Sequence, residues 1–161
     1  MAKAKKRSSK KKAARATKAR RAPARKAAKP AGSSIEAFAK KIVRMSTGTN
    51  FGPAEVRELY HVDAVSVEGS GATSKGHAEL DQKMAGWQQM TSGMISKPRN
   101  VWTRGNTICI EWDSTVTMRD GRTVKLHEVA VHEIKNGKIQ RERYYYDPSA
   151  LAPPQQSLPG V

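Results

Sequence analysis

The second half of the chain contains the stretch that decides the fold, residues 107–146, which read TICIEWDSTVTMRDGRTVKLHEVAVHEIKNGKIQRERYYY. Apolar and polar residues alternate along it with a period of two, which is typical of strands that bury one face. Two turn signals, Arg119-Asp-Gly121 and Lys135-Asn-Gly137, divide it into three strands. A Gly105-Asn106 turn separates these from a fourth strand near residues 95–103. The pattern predicts a long antiparallel meander.

The type of each turn decides which residues share the buried face. If both turns are three-residue loops with glycine in the left-handed conformation, even-numbered residues of all three strands face the same way. On the first strand this face is strongly apolar, and it carries Ile108, Ile110, Trp112, Val116 and Met118. A two-residue Asn136-Gly137 loop would rotate the last strand by one residue, and this alternative stays open.

Helical spacing dominates the residues before the meander. Apolar side chains recur at helical intervals from Ile35 to about Met45, after a serine that can cap the helix. A short helix from Pro53 to Leu59, a strand from Ala64 to Glu68 and a helix from about His77 to Met90 follow. Helices followed by a run of strands predict an α+β domain, in which N-terminal helices cover one face of a curved antiparallel sheet, and such a sheet often closes around a pocket.

The positive charge of the chain is concentrated at its N-terminus. Residues 1–33 carry nine Lys, five Arg and no acidic residue, a charge of +14, whereas the rest of the chain is nearly neutral at +2. The composition predicts a disordered Lys/Arg/Ala-rich tail at 1–33, a folded domain at 34–151 and a flexible C-terminus at 152–161.

The tail is expected to bind nucleic acid. It contains no aromatic residue, so base stacking and sequence-specific readout are not expected, and its composition is similar to the basic tails of linker histones and of some bacterial proteins. A solubility tail or a nuclear-import signal remains the alternative. The cations expected to contact phosphates are Lys5, Lys6, Arg7, Lys10, Lys11, Lys12, Arg15, Lys18, Arg20, Arg21, Arg25 and Lys26.

Three segments of the domain carry a resemblance to a known family: Leu59-Tyr-His-Val-Asp-Ala-Val-Ser-Val-Glu-Gly69, Ser74-Lys-Gly-His-Ala78 and Gly137-Lys-Ile-Gln-Arg-Glu-Arg-Tyr-Tyr-Tyr-Asp147. In this order and spacing they resemble the SnoaL-like branch of the nuclear transport factor 2 superfamily, over about residues 35–151. The resemblance implies a cystatin-like α+β barrel, in which a cone-shaped curved antiparallel sheet packs on N-terminal helices around an internal pocket open at one end. It also implies a homodimer through the outer sheet face. Members include polyketide cyclases, ketosteroid isomerase, scytalone dehydratase and limonene epoxide hydrolase, so the fold does not determine the reaction.

Comparison with ketosteroid isomerase places that enzyme's catalytic base at Glu68. Its oxyanion-binding Asp falls at Ala130 and its helical Tyr near residues 42–45, where no Tyr occurs, so the isomerase mechanism is not expected. Val65 and Val67 are the apolar residues of the strand before Glu68. If they face inward, Glu68 faces outward.

Polar residues occur on the expected inner face of the last two strands. Glu128, His132 and Glu142 must be paired or functional there, because an unpaired buried polar group is costly. Glu142 is expected opposite Ala130 and diagonal to His132. This pair can move a proton beside a carbonyl group. The alternative is a purely structural His–Glu pair.

The candidate catalytic residues are therefore His132, Glu142 and Glu68, and the candidate ligand contacts are Trp112, Glu128, Tyr144 and Tyr146, with Tyr144 or Tyr146 as an oxyanion donor. No metal site or cofactor is expected, because the acidic and His residues lack ligand spacing. Cys109, the single cysteine, permits no intramolecular disulfide. No apolar run is long enough to span a bilayer, which predicts a cytoplasmic protein, nucleoid-associated in a bacterium or nuclear in a eukaryote.

Two functions fit these observations. The first is a pocket for a small apolar or carbonyl-containing ligand, with isomerase-, cyclase- or dehydratase-type proton transfer, on a domain that the basic tail localises on nucleic acid. The second is a non-enzymatic dimeric scaffold whose two tails bind DNA or RNA together, with avidity supplied by the dimer.

Overall fold

The structure of the protein is a computed structural model, which describes residues 34–47 and 51–152. The predicted N-terminal tail and residues 153–161 lie outside the described residues. The elements, in chain order, are α1 (Ile35–Ser46), α2 (Pro53–Leu59), β1 (Tyr60–Val67), β2 (Thr73–Lys75), α3 (Gly76–Met90), β3 (Thr91–Arg104), β4 (Thr107–Met118), β5 (Thr123–Lys135) and β6 (Lys138–Tyr145), followed by a 3₁₀ turn (Pro148–Leu151).

Local sequence explains where the first two helices begin. The Ser34 hydroxyl accepts a hydrogen bond from the Ala37 backbone N–H at 3.2 Å, which caps α1. Pro53 occupies the first position of α2, where its missing N–H costs nothing, and Glu55 accepts a hydrogen bond from the Gly52 N–H at 2.8 Å. The serine and the proline were the signals from which the two helices were predicted.

The six strands form one curled sheet in the order β2-β1-β6-β5-β4-β3. All neighbouring strands are antiparallel except β1 and β6, which are parallel. The helices pack against one face of this sheet, and the predicted α+β class is confirmed. Strand β2 was not predicted, because three residues are too few for a period of two to be recognised.

The even-numbered face of β4 is the buried face, as predicted. Ile108, Ile110 and Val116 are fully buried, and Trp112 and Met118 are nearly so. The helices complete this core with apolar side chains that include Phe38, Ile42, Val56, Leu59 and Leu80.

The two hairpins use different loops. The β4–β5 loop has three residues, 119–121, because the Met118 N–H donates to the Arg122 carbonyl at 2.8 Å. Gly121 lies in the left-handed region at φ 87°, as predicted. The β5–β6 loop has two residues, Asn136 at φ 52° and Gly137 at φ 73°, because Lys135 pairs directly with Lys138. The alternative that the sequence left open is therefore the one that forms.

A β-bulge at Gln140 cancels the rotation that this short loop produces. Ile134 pairs with Ile139, but the preceding Glu133 pairs with Arg141, so Gln140 is left without a partner on β5. Beyond the bulge, even-numbered residues of β6 again face inward.

The orientation of strand β1 shows that Glu68 faces inward, and not outward as its valine neighbours suggested. Its inward side chains are those of Tyr60, Ala64 and Ser66, all of them buried, whereas Val65 is only half-buried. Ala64 and Ser66 are small, which allows α3 to pack closely on this strand. Glu68 continues the inward series and faces the interior of the domain.

Candidate functional site

A cavity of about 1020 Å³ lies between the inner face of the sheet and the three helices. Its apolar wall is formed mainly by Ile42, Phe51, Leu59, Met84, Trp87, Trp112 and Leu126. Its polar side chains include Glu68, Lys83, Glu128, His132, Tyr144 and Tyr146. Mixed linings of this kind, mostly apolar with a few convergent polar groups, are typical of small-molecule sites.

The fold brings the predicted pocket residues together. All of them line the cavity except Glu142, which lies behind the wall. Cross-strand pairing explains the arrangement, because Trp112 pairs with Glu128, Ala130 with Tyr144, and the rows are adjacent on the sheet. Their predicted roles in catalysis and ligand binding stay predictions.

Glu142 lies directly opposite His132, not diagonal to it. The sequence placed Glu142 opposite Ala130, but the two-residue loop and the Gln140 bulge each shift the register by one residue, so Tyr144 takes that place. The His132 Nδ1 atom is 3.4 Å from Glu142 Oε2, and both side chains are almost fully buried. The expected pair therefore forms by direct cross-strand contact.

Glu142 is a buried carboxylate surrounded by hydrogen-bond donors. The Tyr60 hydroxyl donates to Oε2 at 2.6 Å, and the Tyr144 hydroxyl donates to the same atom at 3.0 Å. The Ser66 hydroxyl donates to Oε1 at 2.7 Å, and the Lys83 ammonium lies 3.5 Å from that atom. Five side chains from α3 and three strands thus converge on one carboxylate.

These contacts determine the ionisation of Glu142. Burial by itself opposes ionisation, but the His132 ring, the Lys83 charge and the Tyr60 hydroxyl outweigh it and lower the pKa of Glu142 to about 2. The same arrangement acts in the opposite direction on the phenols: burial and the Glu142 charge raise the pKa of Tyr60 and of Tyr144 well above their usual value. Glu142 is therefore an anchoring group, poorly suited to accept a proton near neutral pH.

Lys83 is a charged residue of the cavity that sequence reasoning missed. It extends from α3 to form an ion pair with Glu68, donates a hydrogen bond to Ser66 Oγ at 2.8 Å, and lies 4.5 Å from the centroid of the Tyr144 ring. One signal was available: Lys83 shares a helix face with Leu80, so it interrupts an apolar stripe with a charge.

Glu68 and Tyr146 form a second hydrogen-bonded pair, next to Lys83. The Tyr146 hydroxyl donates to Glu68 Oε2 at 3.1 Å, while the Lys83 ammonium engages the other oxygen. Burial and the Glu68 charge raise the pKa of Tyr146 to about 12. The hydroxyls of Tyr144 and Tyr146 both donate hydrogen bonds to carboxylates. In this arrangement neither hydroxyl proton is free to be donated to a ligand oxygen.

Glu128 differs from the other two carboxylates. Among the described residues, none forms an ion pair with it, and its half-buried side chain faces the cavity. Burial, with a further contribution from the Glu68 charge, raises the pKa of Glu128 to about 7, although Lys83 acts in the opposite direction. Glu128 is the carboxyl group of this site that can gain and lose a proton near neutral pH.

The positions at which the comparison expected oxyanion donors carry no Asp or Tyr. Ala130 is fully buried in the core, and Ile42 on α1 is buried beside the cavity. In the described part of the chain, no three His, Cys, Asp or Glu side chains lie close enough together to hold a metal ion. None of the described helices is both long and apolar enough to cross a membrane.

Comparison with known proteins adds the relatives of this fold. The sequence profile of a family described as SnoaL-like domain matches residues 36–146. No curated protein matches the chain by sequence.

Solved structures share the architecture at low identity. One is a protein from Catenulispora acidiphila with a ketosteroid isomerase-like fold, in complex with trimethylamine (17% identity, TM-score 0.63, 69% of this chain and 88% of that chain). A second, from Jannaschia sp. CCS1, is provisionally described as a SnoaL-like polyketide cyclase (17%, 0.64, 74% and 92%). A third is TerC, co-crystallised with polyporic acid (23%, 0.57, 70% and 94%). At these identities the likeness establishes the fold alone.

Proposed function

Because the chain belongs to the SnoaL-like domain family, we propose that its domain binds a small, largely apolar, carbonyl-containing ligand in the cavity and exchanges a proton with it through Glu128. Relatives crystallised with trimethylamine and with polyporic acid support a small-molecule role. Trp112 and the other apolar wall residues would hold the ligand. Glu142, Tyr144 and His132 would stabilise the cavity wall through their mutual contacts.

The position of Glu128 is the observation that carries this proposal. It is the one cavity carboxyl, among the described residues, that is neither ion-paired nor buried behind the wall. A general base is most effective when its pKa is near the working pH, and the pKa of Glu128 is about 7. A C–H bond beside a carbonyl group can therefore lose its proton to Glu128 and regain it, which is the elementary step of isomerases and cyclases.

Exchange of deuterium into a probe ketone tests this function. 2-Tetralone is incubated with the protein in D₂O, and loss of the α-proton signal is followed by NMR. We expect exchange above the buffer rate in the wild type and loss of that excess in Glu128→Gln. Glu133→Gln is the matched control, because Glu133 lies on the outer face of the same strand and pairs with Arg143. Binding of 2-tetralone without deuterium exchange would contradict the proposed proton transfer and would support ligand binding alone.

A second function rests on the tail and the outer face of the sheet. We propose that two copies associate through this face, where Trp102 and Tyr145 are more than half exposed, and that the two basic tails bind nucleic acid together. The +14 charge of residues 1–33 supports the nucleic-acid role. If about eight cations contact phosphates, log affinity falls with log salt at a slope of about −7.

Duplex DNA binding across a salt series tests the tail, with full-length protein compared with a chain that begins at Ser34. Steeply salt-dependent binding that disappears with the tail is expected. Negligible binding of the full-length protein near physiological salt would contradict the proposal. Sedimentation of the wild type and of Trp102→Glu tests the dimer, because a charge on the outer face should shift it to monomers.

A further inference from the structure

The cavity contains a carboxylate whose counter-charge the described residues do not supply. Lys83 lies near enough to influence Glu128, but its ammonium is committed to Glu68, Ser66 and Glu142. Arg119 also lines the cavity, and its Nε–H donates to the Gln88 carbonyl at 3.0 Å. Among the described residues, an ionised Glu128 therefore has no ion-pair partner, and a cationic ligand would supply one.

Aromatic side chains flank this carboxylate on the sheet. Trp112 is its direct cross-strand partner on β4. On the other side, Tyr145 pairs with Val129, so the next residue, Tyr146, comes level with Glu128 and also lines the cavity. Trp87, from α3, contributes a third ring to the lining.

A carboxylate among aromatic rings is the chemistry that recognises an alkylated ammonium group. The faces of aromatic rings attract cations, and the attraction is strongest where water is excluded. A tertiary or quaternary ammonium is weakly hydrated and bulky, so it gains from ring contact, while the carboxylate supplies the charge. A neutral ligand of the same shape gains the apolar contact alone.

We propose that the ligand of this cavity carries a positively charged, alkylated nitrogen, which sits against Glu128 between Trp112 and Tyr146. This inference rests on the proposed small-molecule pocket and names the chemical class of its ligand. It does not rest on proton transfer through Glu128, because a carboxylate held against a cation is a weaker base. The ammonium group would occupy the Glu128 end of the cavity, and the apolar remainder of the ligand would lie along Leu126 and Trp87.

Binding of a permanent cation should release a proton. In the free protein near pH 7 Glu128 is partly protonated, because its pKa is about 7. A quaternary ammonium has no proton to give or take, so the carboxyl proton displaced by the cation passes to the buffer. Calorimetry in buffers of different ionisation enthalpy should therefore report release of a fraction of one proton per ligand.

A matched pair of probes tests the inference: choline and its neutral isostere 3,3-dimethylbutan-1-ol, each titrated into the full-length protein. We expect choline to bind at least tenfold more tightly, with proton release at pH 7. In Glu128→Gln the preference and the proton release should both disappear, while Glu133→Gln keeps them. Trp112→Phe should retain part of the preference because a ring remains.

The outcomes separate this inference from the function on which it rests. The cationic ligand is excluded if 3,3-dimethylbutan-1-ol binds as tightly as choline, or if 2-tetralone binds and choline does not. In either case the small-molecule function of the cavity is still supported. If none of the three probes binds, both proposals fail. A choline preference that survives Glu128→Gln would also overturn the assignment.

Discussion

Lys83 on α3 and Glu142 on β6 face each other across the inner surface of the sheet, with 3.5 Å between the ammonium nitrogen and Oε1. The same lysine also forms an ion pair with Glu68 at the end of β1. One helix is thereby connected to two neighbouring parallel strands by charge, next to the cavity. Lys83, Glu68 and Glu142 therefore stabilise the packing of α3 on the sheet as well as forming part of the candidate site.

Removal of the Lys83 charge should destabilise the domain. Lys83→Met leaves Glu68 and Glu142 without their cation, and loss of one partner of a buried pair typically costs about 3 kcal/mol or more. Urea unfolding measures the change. Lys41→Met is the control, because its ion pair with Glu58 is exposed and should contribute much less.

The double variant Lys83→Met/Glu68→Gln provides a second check. Because Glu68→Gln removes one of the two carboxylates left uncompensated, the double variant should lose less stability than the sum of the single variants. Strict additivity of the two losses would show that the ion pair contributes nothing.

The ionisation of Glu128 should make stability depend on pH. Its folded-state pKa of about 7 lies above its usual value, so the folded protein holds the proton more tightly than the unfolded chain. The contribution of Glu128 to the free energy of unfolding of the domain therefore decreases, by about 3 kcal/mol, as pH rises from about 4.5 to above 7.

Comparison with Glu128→Gln isolates this effect, because glutamine resembles the protonated acid at every pH. The stability of the variant relative to wild type, measured by urea unfolding, should increase between pH 5 and pH 8. Glu142, whose pKa is lowered, acts at more acidic pH and is present in both proteins. A difference that stays constant with pH would contradict the raised pKa of Glu128.

Deletion of Gln140 should remove the bulge and leave the inner face of β6 in place. Ile139 would still pair with β5, and Arg141 and Glu142 would keep their β5 partners in a regular ladder. Insertion of one alanine after Gln140 should instead turn Glu142 outward and Arg141 inward. We expect loss of the cooperative unfolding transition and of the near-UV circular dichroism signal in the insertion variant alone. Gln140→Ala is a further control: it keeps the bulge and loses the hydrogen bonds to Asp63, so the transition should persist. A cooperative fold in the insertion variant would show that the register is set elsewhere.

Two glycines should respond to alanine in opposite directions. A Cβ atom on Gly69 would lie 3.0 Å from the Tyr146 carbonyl oxygen and 3.0 Å from its ring, so Gly69→Ala should cost about 1–3 kcal/mol. A Cβ atom on Gly86, inside α3, would meet nothing within 4 Å among the described residues, so Gly86→Ala should stabilise the helix by about 0.5–1 kcal/mol. Thermal and urea unfolding check the two signs.

Much of the fold could be predicted because its signals are local. The alternation on β4 marks the buried Ile108 and Ile110, and a serine and a proline mark the starts of α1 and α2. These patterns reflect backbone geometry and burial within a single element, so they are visible without knowledge of the partners. The resemblance segments then indicated the family, whose profile matches residues 36–146.

The candidate site was predicted less completely. His132, Glu128 and Glu142 were identified because polar residues interrupt an apolar face. Their arrangement was not predicted, because the Gln140 bulge depends on how β6 settles against β1 and β5 together. Lys83 was missed because its partners lie on strands far away in the chain.

The amino-acid sequence by itself determined the α+β order of elements, the buried face of the meander and the separation of a +14 tail from a nearly neutral domain. Tertiary structure alone decided that Glu142 is a buried anchor and that Glu128 faces the cavity without an ion-pair partner among the described residues. The physical reason is that the ionisation of a carboxyl group depends on its burial and on charges brought from other elements, and these exist only once the helices and the sheet have packed.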